Sequence, residues 1–150
     1  MSATSRQRDL AAAPAAVWAV LAEFDRIADW APNVEHSCSL SSHSDGIGAV
    51  RRVQVGRMTL VETVTAWEPG ARLAYRLDGL PARLGTISNE WYLTPAADGG
   101  ANVSVTTTVD PGPRPPQQAI GRLIARKLAS SSEVMLDGLA GHLARAGTPA

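Results

Sequence analysis

The sequence predicts an α+β domain in which an antiparallel sheet of about seven strands packs against one long C-terminal helix. Apolar and polar residues alternate with period two through most of the middle of the chain, which is typical of half-buried strands. Pairs such as Gly56-Arg57 and Pro69-Gly70 separate these segments and predict hairpin turns. The last third carries apolar residues three and four apart, the spacing of an amphipathic helix. Because the sheet and the helix each need a partner for an apolar face, we expect them to pack together.

The elements are expected in a simple order along the chain. Two short helices lie between the first and second strands. Pro14 suits the first position of one, because its missing N–H would be unpaired there, and the Asp25 carboxylate is expected to cap the other. Strands are predicted at 5–11, 33–42, 47–55, 58–68, 71–79, 85–94 and 102–110. The prolines between 111 and 116 end the last strand, and the long helix is predicted from 115 to 144.

Length and charge narrow the class of protein. A chain of 150 residues is expected to form a single domain spanning 1–150, with an ordered core at about 5–144. The 14 basic and 14 acidic residues give a formal net charge of zero, and no basic cluster stands out, so no nucleic-acid partner is expected. No apolar run approaches the roughly 18 residues of a membrane span, and Asp9 and Glu23 argue against a signal peptide. We therefore expect a cytoplasmic protein, either monomer or homodimer.

The cysteine and histidine content argues against a metal centre. Cys38 is the only cysteine, which excludes an intramolecular disulfide. It and the three histidines do not have the spacing of zinc ligands. Neither a metal nor another cofactor is expected.

Four segments carry a family signature: 14–34 (PAAVWAVLAEFDRIADWAPNV), 46–55 (GIGAVRRVQV), 60–77 (LVETVTAWEPGARLAYRL) and 89–95 (NEWYLTP). With the long helix that follows, they resemble the SRPBCC superfamily of START and birch-pollen-allergen-like proteins, and within it the polyketide cyclase/dehydratase-like group. The resemblance runs from about Arg8 to about Leu143 and lies mainly in the order of elements. It implies a helix-grip fold, in which a curved sheet surrounds the long helix.

Alternation also predicts which side chains face the helix, because a slip of one residue would turn every inward side chain outward. Most inward positions are apolar, and they include Cys38 and Leu40 on the second strand. The polar exceptions are His36, Arg51, Glu62, Tyr75 and Asn89. Buried charges are costly unless they are paired, so Arg51 and Glu62 are expected to pair across neighbouring strands. A cavity holding water and a ligand would make such polar groups tolerable.

The leading hypothesis is that this cavity binds a small, mainly hydrophobic molecule of lipid, polyketide or aromatic type. The Arg51–Glu62 pair is then either a polar anchor for the ligand or a structural ion pair. By resemblance to polyketide cyclases, Arg51 would hold an enolate oxygen and Glu62 or Tyr75 would move the proton, which makes these three the candidate catalytic residues. The candidate ligand-binding residues are His36, Val53, Leu60, Val64, Leu77, Asn89, Trp91, Val105, Leu123, Lys127, Ser131 and Met135.

Several residues allow a second interpretation. His36 is either a general base or a hydrogen-bonded structural residue, and Cys38 is either a nucleophile beside it or a small buried thiol. Tyr75 and Trp91 stack on a ligand or fill the core. The hairpin at 79–85 is either a gate or a plain surface loop.

The whole protein likewise has alternatives to an enzyme. These alternatives are a non-enzymatic ligand carrier and a partner-binding, chaperone-like module with a filled core. The last of these predicts a large exposed apolar patch in place of a pocket.

Overall fold

The computed structural model describes residues 2–81, 84–111 and 115–146; within the long helix, side chains are described from 122 onward except at 125. Seven strands form one antiparallel sheet with the order β1-β7-β6-β5-β4-β3-β2. The strands are β1 (Ser2–Leu10), β2 (His36–Ser39), β3 (Val50–Val55), β4 (Met58–Glu68), β5 (Arg72–Asp78), β6 (Thr86–Pro95) and β7 (Ala101–Asp110). The helices are α1 (Pro14–Ala22), a 3₁₀ helix (Phe24–Asp29) and α2 (Pro115–Ala146). The predicted architecture is confirmed.

The sheet follows the alternation of the sequence closely in its centre. Strand β4 has the predicted bounds, and it pairs with β3 from Val50 opposite Thr63 to Val55 opposite Met58. Gly56 lies in the intervening turn with φ +60, a conformation that glycine adopts at little cost. Between Val64 and Ala66 the pairing with β5 shifts by one residue, and such a bulge bends a strand.

The predicted inward face is correct on β3 to β7 and wrong on β2. His36 and Cys38 are exposed, and Leu40 beyond the strand is 53% exposed. The reason is the register with β3, which places Ser37 opposite Val53 and Ser39 opposite Arg51. Because directly paired residues share a face of the sheet, the two serines point inward and His36 points to solvent.

Strand β2 is also shorter than the predicted 33–42. A backbone bond from the Val34 N–H to the Ala31 carbonyl oxygen (3.0 Å) closes a four-residue turn at 31–34. Pro32 occupies the second position of this turn, where its fixed φ fits. Strand β2 therefore begins only at His36.

The two short helices bring the chain from β1 to β2. Pro14 lies in the first turn of α1, as predicted. The Asp25 carboxylate does not cap the 3₁₀ helix. Ser37 joins this helix to β2 instead, since its hydroxyl donates to the Asp25 carbonyl oxygen (2.8 Å) and accepts from the Ala28 N–H (3.1 Å).

Tryptophans attach these helices to the sheet. Trp18 contacts Trp67 edge to face with ring centroids 5.1 Å apart, and Trp30 contacts Trp91 in the same way at 5.8 Å. Such pairs stabilise beyond the area that they bury. Trp18 and Trp30 are therefore packing residues of this segment.

Helix α2 lies against β1 and β7 and passes close to the turn at 31–34. At Gly138, a Cβ atom would collide with the Trp30 carbonyl oxygen and with Cδ of Pro32. Only glycine lets the helix approach the turn this closely. This contact joins α2 to the segment that leads into β2.

Candidate functional site

Arg51 and Glu62 form a buried ion pair at the centre of the inner face. They are directly opposite on β3 and β4, and Arg51 Nε donates to Glu62 Oε1 at 2.7 Å. Their side chains are 3% and 6% exposed, so the pair is almost fully removed from water. The pairing expected from the hairpin at Gly56-Arg57 is therefore present.

The Arg51 guanidinium is also bound by the 3₁₀ helix and by two rings. Its Nη1 donates to the Phe24 carbonyl oxygen at 2.7 Å. Its Cζ atom lies 3.7 Å from the centroid of the Phe24 ring and 4.7 Å from that of Tyr75. Cation–π contacts of this kind strengthen when water is excluded. Arg51 is thus held by several contacts and in turn positions the Glu62 carboxylate.

Two further side-chain hydrogen bonds lie on the inner face of β5, β6 and β7. Trp91 Nε1 donates to the Tyr75 hydroxyl at 3.1 Å, and the Thr107 hydroxyl donates to Asn89 Oδ1 at 2.7 Å. These bonds satisfy polar groups that would otherwise be costly to bury.

The Tyr75 phenol is held neutral by its surroundings. Burial raises its pKa above the ordinary value, and the Glu62 carboxylate raises the pKa further. Arg51 and the side-chain hydrogen bonds with Trp91 and Asn89 act in the opposite direction without reversing the net shift. A phenol of this kind keeps its proton at neutral pH.

A cavity of about 80 Å³ lies between this polar cluster and α2. Its wall comprises Ile27, Asn33, Val34, Val53, Val55, Met58, Leu60, Glu62, Tyr75, Leu77, Asn89, Leu128, Ser131 and Met135. Most of these side chains are apolar, and the polar ones come from the turn at 31–34, from β4, β5 and β6, and from α2. The volume is well below the roughly 300–1,000 Å³ of typical drug-sized ligand sites.

The structure brings together most of the residues that the sequence predicted for the site. Glu62 and Tyr75 line the cavity, and Arg51 lies behind Glu62 and outside the wall. The predicted ligand-binding residues in the wall are Val53, Leu60, Leu77, Asn89, Ser131 and Met135. Val64, Trp91 and Val105 are core residues outside it.

Three predicted ligand-binding residues point to solvent. His36 is exposed because of the β2 register, Lys127 is exposed, and Leu123 is 66% exposed. The inward stripe of α2 runs through Leu128, Ser131 and Met135, and a residue one position earlier is turned by about 100° around the helix. The prediction is therefore correct at Ser131 and Met135 and one residue off at Lys127, which precedes the wall residue Leu128.

The predicted site residues do not include six residues of the wall, which are Ile27, Asn33, Val34, Val55, Met58 and Leu128. Asn33 follows Pro32 in a pair typical of turns, so the turn itself was detectable. Its position against α2 depends on tertiary contacts that no local pattern encodes.

Three other expectations concern a gate at 79–85, a metal site and a membrane-spanning helix. The predicted gate at 79–85 contains residues 82 and 83, which lie outside the described residues. Across the described ranges, no three histidine, cysteine, aspartate or glutamate side chains converge to hold a metal ion. None of the helices, as far as they are described, is both long and apolar enough to cross a bilayer.

Solved structures share the fold over nearly their full length. A protein from Thermobifida fusca is 25% identical, with a TM-score of 0.77 and coverage of 100% of this chain and 98% of that one. The aromatase/cyclase Zhui from a Streptomyces species is 22% identical, with a TM-score of 0.76 and coverage of 99% of each chain. A START superfamily protein from Mycobacterium smegmatis is 15% identical, with a TM-score of 0.75 and coverage of 95% and 97%.

The family comparison agrees with the fold. No curated protein matches the chain significantly. The family described as polyketide cyclase / dehydrase and lipid transport matches residues 1–144. This match covers nearly the whole chain and agrees with the architecture and the inner cavity, so the chain belongs to the polyketide cyclase / dehydrase and lipid transport family.

Proposed function

We propose that the protein binds a small, mainly apolar molecule in the cavity between the sheet and α2. The observation that carries this proposal is a cavity whose wall is mainly apolar and contains Glu62, Tyr75 and Asn89 on the side of the sheet. Apolar surface supplies the driving force for binding, and a few fixed polar groups orient the ligand.

The volume of the cavity limits what enters without rearrangement. An apolar cavity of about 150 Å³ accommodates benzene, so about 80 Å³ accepts a single ring only if part of the ligand stays outside. Met58, at the hairpin end of the wall, is 49% exposed, which favours entry beside it. A larger ligand requires α2 to move away from the sheet.

A direct test is titration of the protein with toluene or phenol, followed by amide chemical shifts in NMR spectra. The Ser131→Phe variant fills the cavity from α2 and should abolish the shifts, whereas Ser130→Phe adds the same ring at the neighbouring exposed position and should retain them. Unchanged spectra of the native protein with both probes would refute the proposal. That result would favour a partner-binding module with a filled core.

Cyclase chemistry is a narrower candidate, supported by the juxtaposition of Glu62 and Tyr75 in one wall. Glu62 would accept a proton from an activated methylene, and the neutral Tyr75 phenol would donate a hydrogen bond to the enolate oxygen. Arg51 would act as a positioning residue, since its donors are directed to Glu62 and Phe24.

The test of cyclase activity is conversion of a synthetic poly-β-ketone to an aromatic product, followed by absorbance. Glu62→Gln should abolish conversion while probe binding persists. Equal conversion by this variant would reject the assigned role, and loss of probe binding as well would indicate a structural role only.

A further inference from the structure

We infer that Asn33 selects ligands that carry a hydroxyl or N–H group, because its side chain lines the cavity and its amide oxygen is a buried acceptor without a protein partner. This inference rests on the proposed function and specifies the ligand class for the same cavity. It concerns a residue outside the predicted polar cluster.

Asn33 is held in place by its backbone. It occupies the third position of the turn at 31–34, which the bond between Val34 and Ala31 closes at 3.0 Å. The Glu35 N–H then bonds to the Gln54 carbonyl oxygen at 2.9 Å, which joins the end of the turn to β3. On the other side, Gly138 of α2 packs directly against Pro32. The Asn33 side chain therefore enters the cavity from a segment that is fixed at both ends.

The oxygen of this side chain has no protein partner. Among the side chains that the structure describes, Asn33 Oδ1 is the one buried polar atom without a hydrogen bond. Leaving a buried acceptor unpaired is costly, and native proteins rarely do so without a functional reason or a bound partner. Because Asn33 also lines the cavity, a molecule bound in that cavity can supply the missing donor.

Glu62 favours the same chemistry, whereas the Tyr75 O–H remains able to donate to an acceptor on the ligand. Glu62 presents a carboxylate, which only accepts when it is ionised. Asn89 Oδ1 is already bonded to Thr107, and the Tyr75 oxygen already accepts from Trp91. A ligand carboxylate would bring further negative charge and no donor to this wall. A phenol, an alcohol or an N–H heterocycle would instead satisfy Asn33 Oδ1.

The experiment compares two probes of nearly the same shape, phenol and toluene, by NMR titration. The quantity measured is the ratio of their dissociation constants, because it removes general effects on the cavity. Replacing Asn33 by leucine should shift this ratio about tenfold toward toluene, as expected for loss of one hydrogen bond. Asn33→Asp keeps an acceptor oxygen and a similar size, so it should retain the preference for phenol. Asn33→Ala gives a second acceptor-free variant if the leucine variant does not fold.

Each outcome has a separate meaning. If toluene binds and the ratio is the same in all variants, the Asn33 inference is wrong while the cavity proposal stands. If benzoate binds more tightly than phenol, the wall does not select donors and the inference is again overturned. If neither phenol nor toluene binds to the native protein, the proposed function fails, and the inference fails with it.

Discussion

Replacing Arg51 by methionine tests whether the buried ion pair organises the site. The change removes the guanidinium but keeps an unbranched apolar side chain, and it leaves the Glu62 carboxylate without its partner at 2.7 Å. Breaking a buried pair on one side typically costs about 3–5 kcal/mol of unfolding free energy. Since the Phe24 carbonyl also loses a bond, we expect a loss near the middle of that range, about 4 kcal/mol.

The assay is urea unfolding followed by circular dichroism. With a slope of about 2 kcal/mol per molar urea, a loss of about 4 kcal/mol lowers the midpoint by about 2 M. The matched control is Arg76→Met, which breaks the exposed pair with Asp78 (3.1 Å, side chains 47% and 50% exposed). An exposed pair contributes less than about 1 kcal/mol, so this midpoint should move little.

A double variant separates the charge from the packing. When Glu62 is also replaced by methionine, no unpaired charge remains, and replacing both members of a buried pair is often neutral or stabilising. The double variant should therefore recover most of the stability lost in Arg51→Met. If Arg51→Met costs no more than Arg76→Met, or if the double variant is as unstable as the sum of the single ones, the reasoning is refuted.

Three further changes test other contacts. Gly138→Ala should destabilise the protein by about 1–3 kcal/mol, because the added methyl group overpacks against the turn. The control Gly141→Ala should stabilise it by about 0.5–1 kcal/mol, because the new Cβ meets only the flexible end of Arg145 at 3.2 Å. Thermal unfolding compares the two variants, and equal effects would contradict the close approach at Gly138. Because the pKa of Tyr75 is raised in the folded state, its contribution to stability is complete below pH 10 and is lost as the pH rises toward the folded-state pKa. Tyr75→Phe should therefore flatten the alkaline fall in the free energy of unfolding. An identical fall in both proteins would show that the phenol titrates normally. Ser37→Ala removes two bonds to the 3₁₀ helix and should cost about 1–2 kcal/mol in urea unfolding; no measurable change would mean that this link is not stabilising.

The sequence predicted the parts of the site that depend on local pattern. The alternation through β4 and the turn at Gly56-Arg57 sufficed to place Arg51 opposite Glu62. The predicted inward face of β2 is wrong, because the strand is only four residues long and its register follows from the bond between Ser37 and the 3₁₀ helix. The place of Asn33 in the cavity wall was not predicted, because the turn at 31–34 meets α2 at Gly138 through a contact between distant parts of the chain.

The close contact at Gly138 also gives α2 a point about which the helix can tilt. Helix α2 is fixed against the turn at Gly138, and Leu128 in the cavity wall lies ten residues earlier, about 15 Å along the helix axis. A tilt of about 10° about that fixed point would lift the axis at Leu128 by roughly 2.6 Å while the contact itself hardly moves. A rotation of this size would enlarge the cavity at the end beside Leu128 and leave the ion pair beneath it undisturbed.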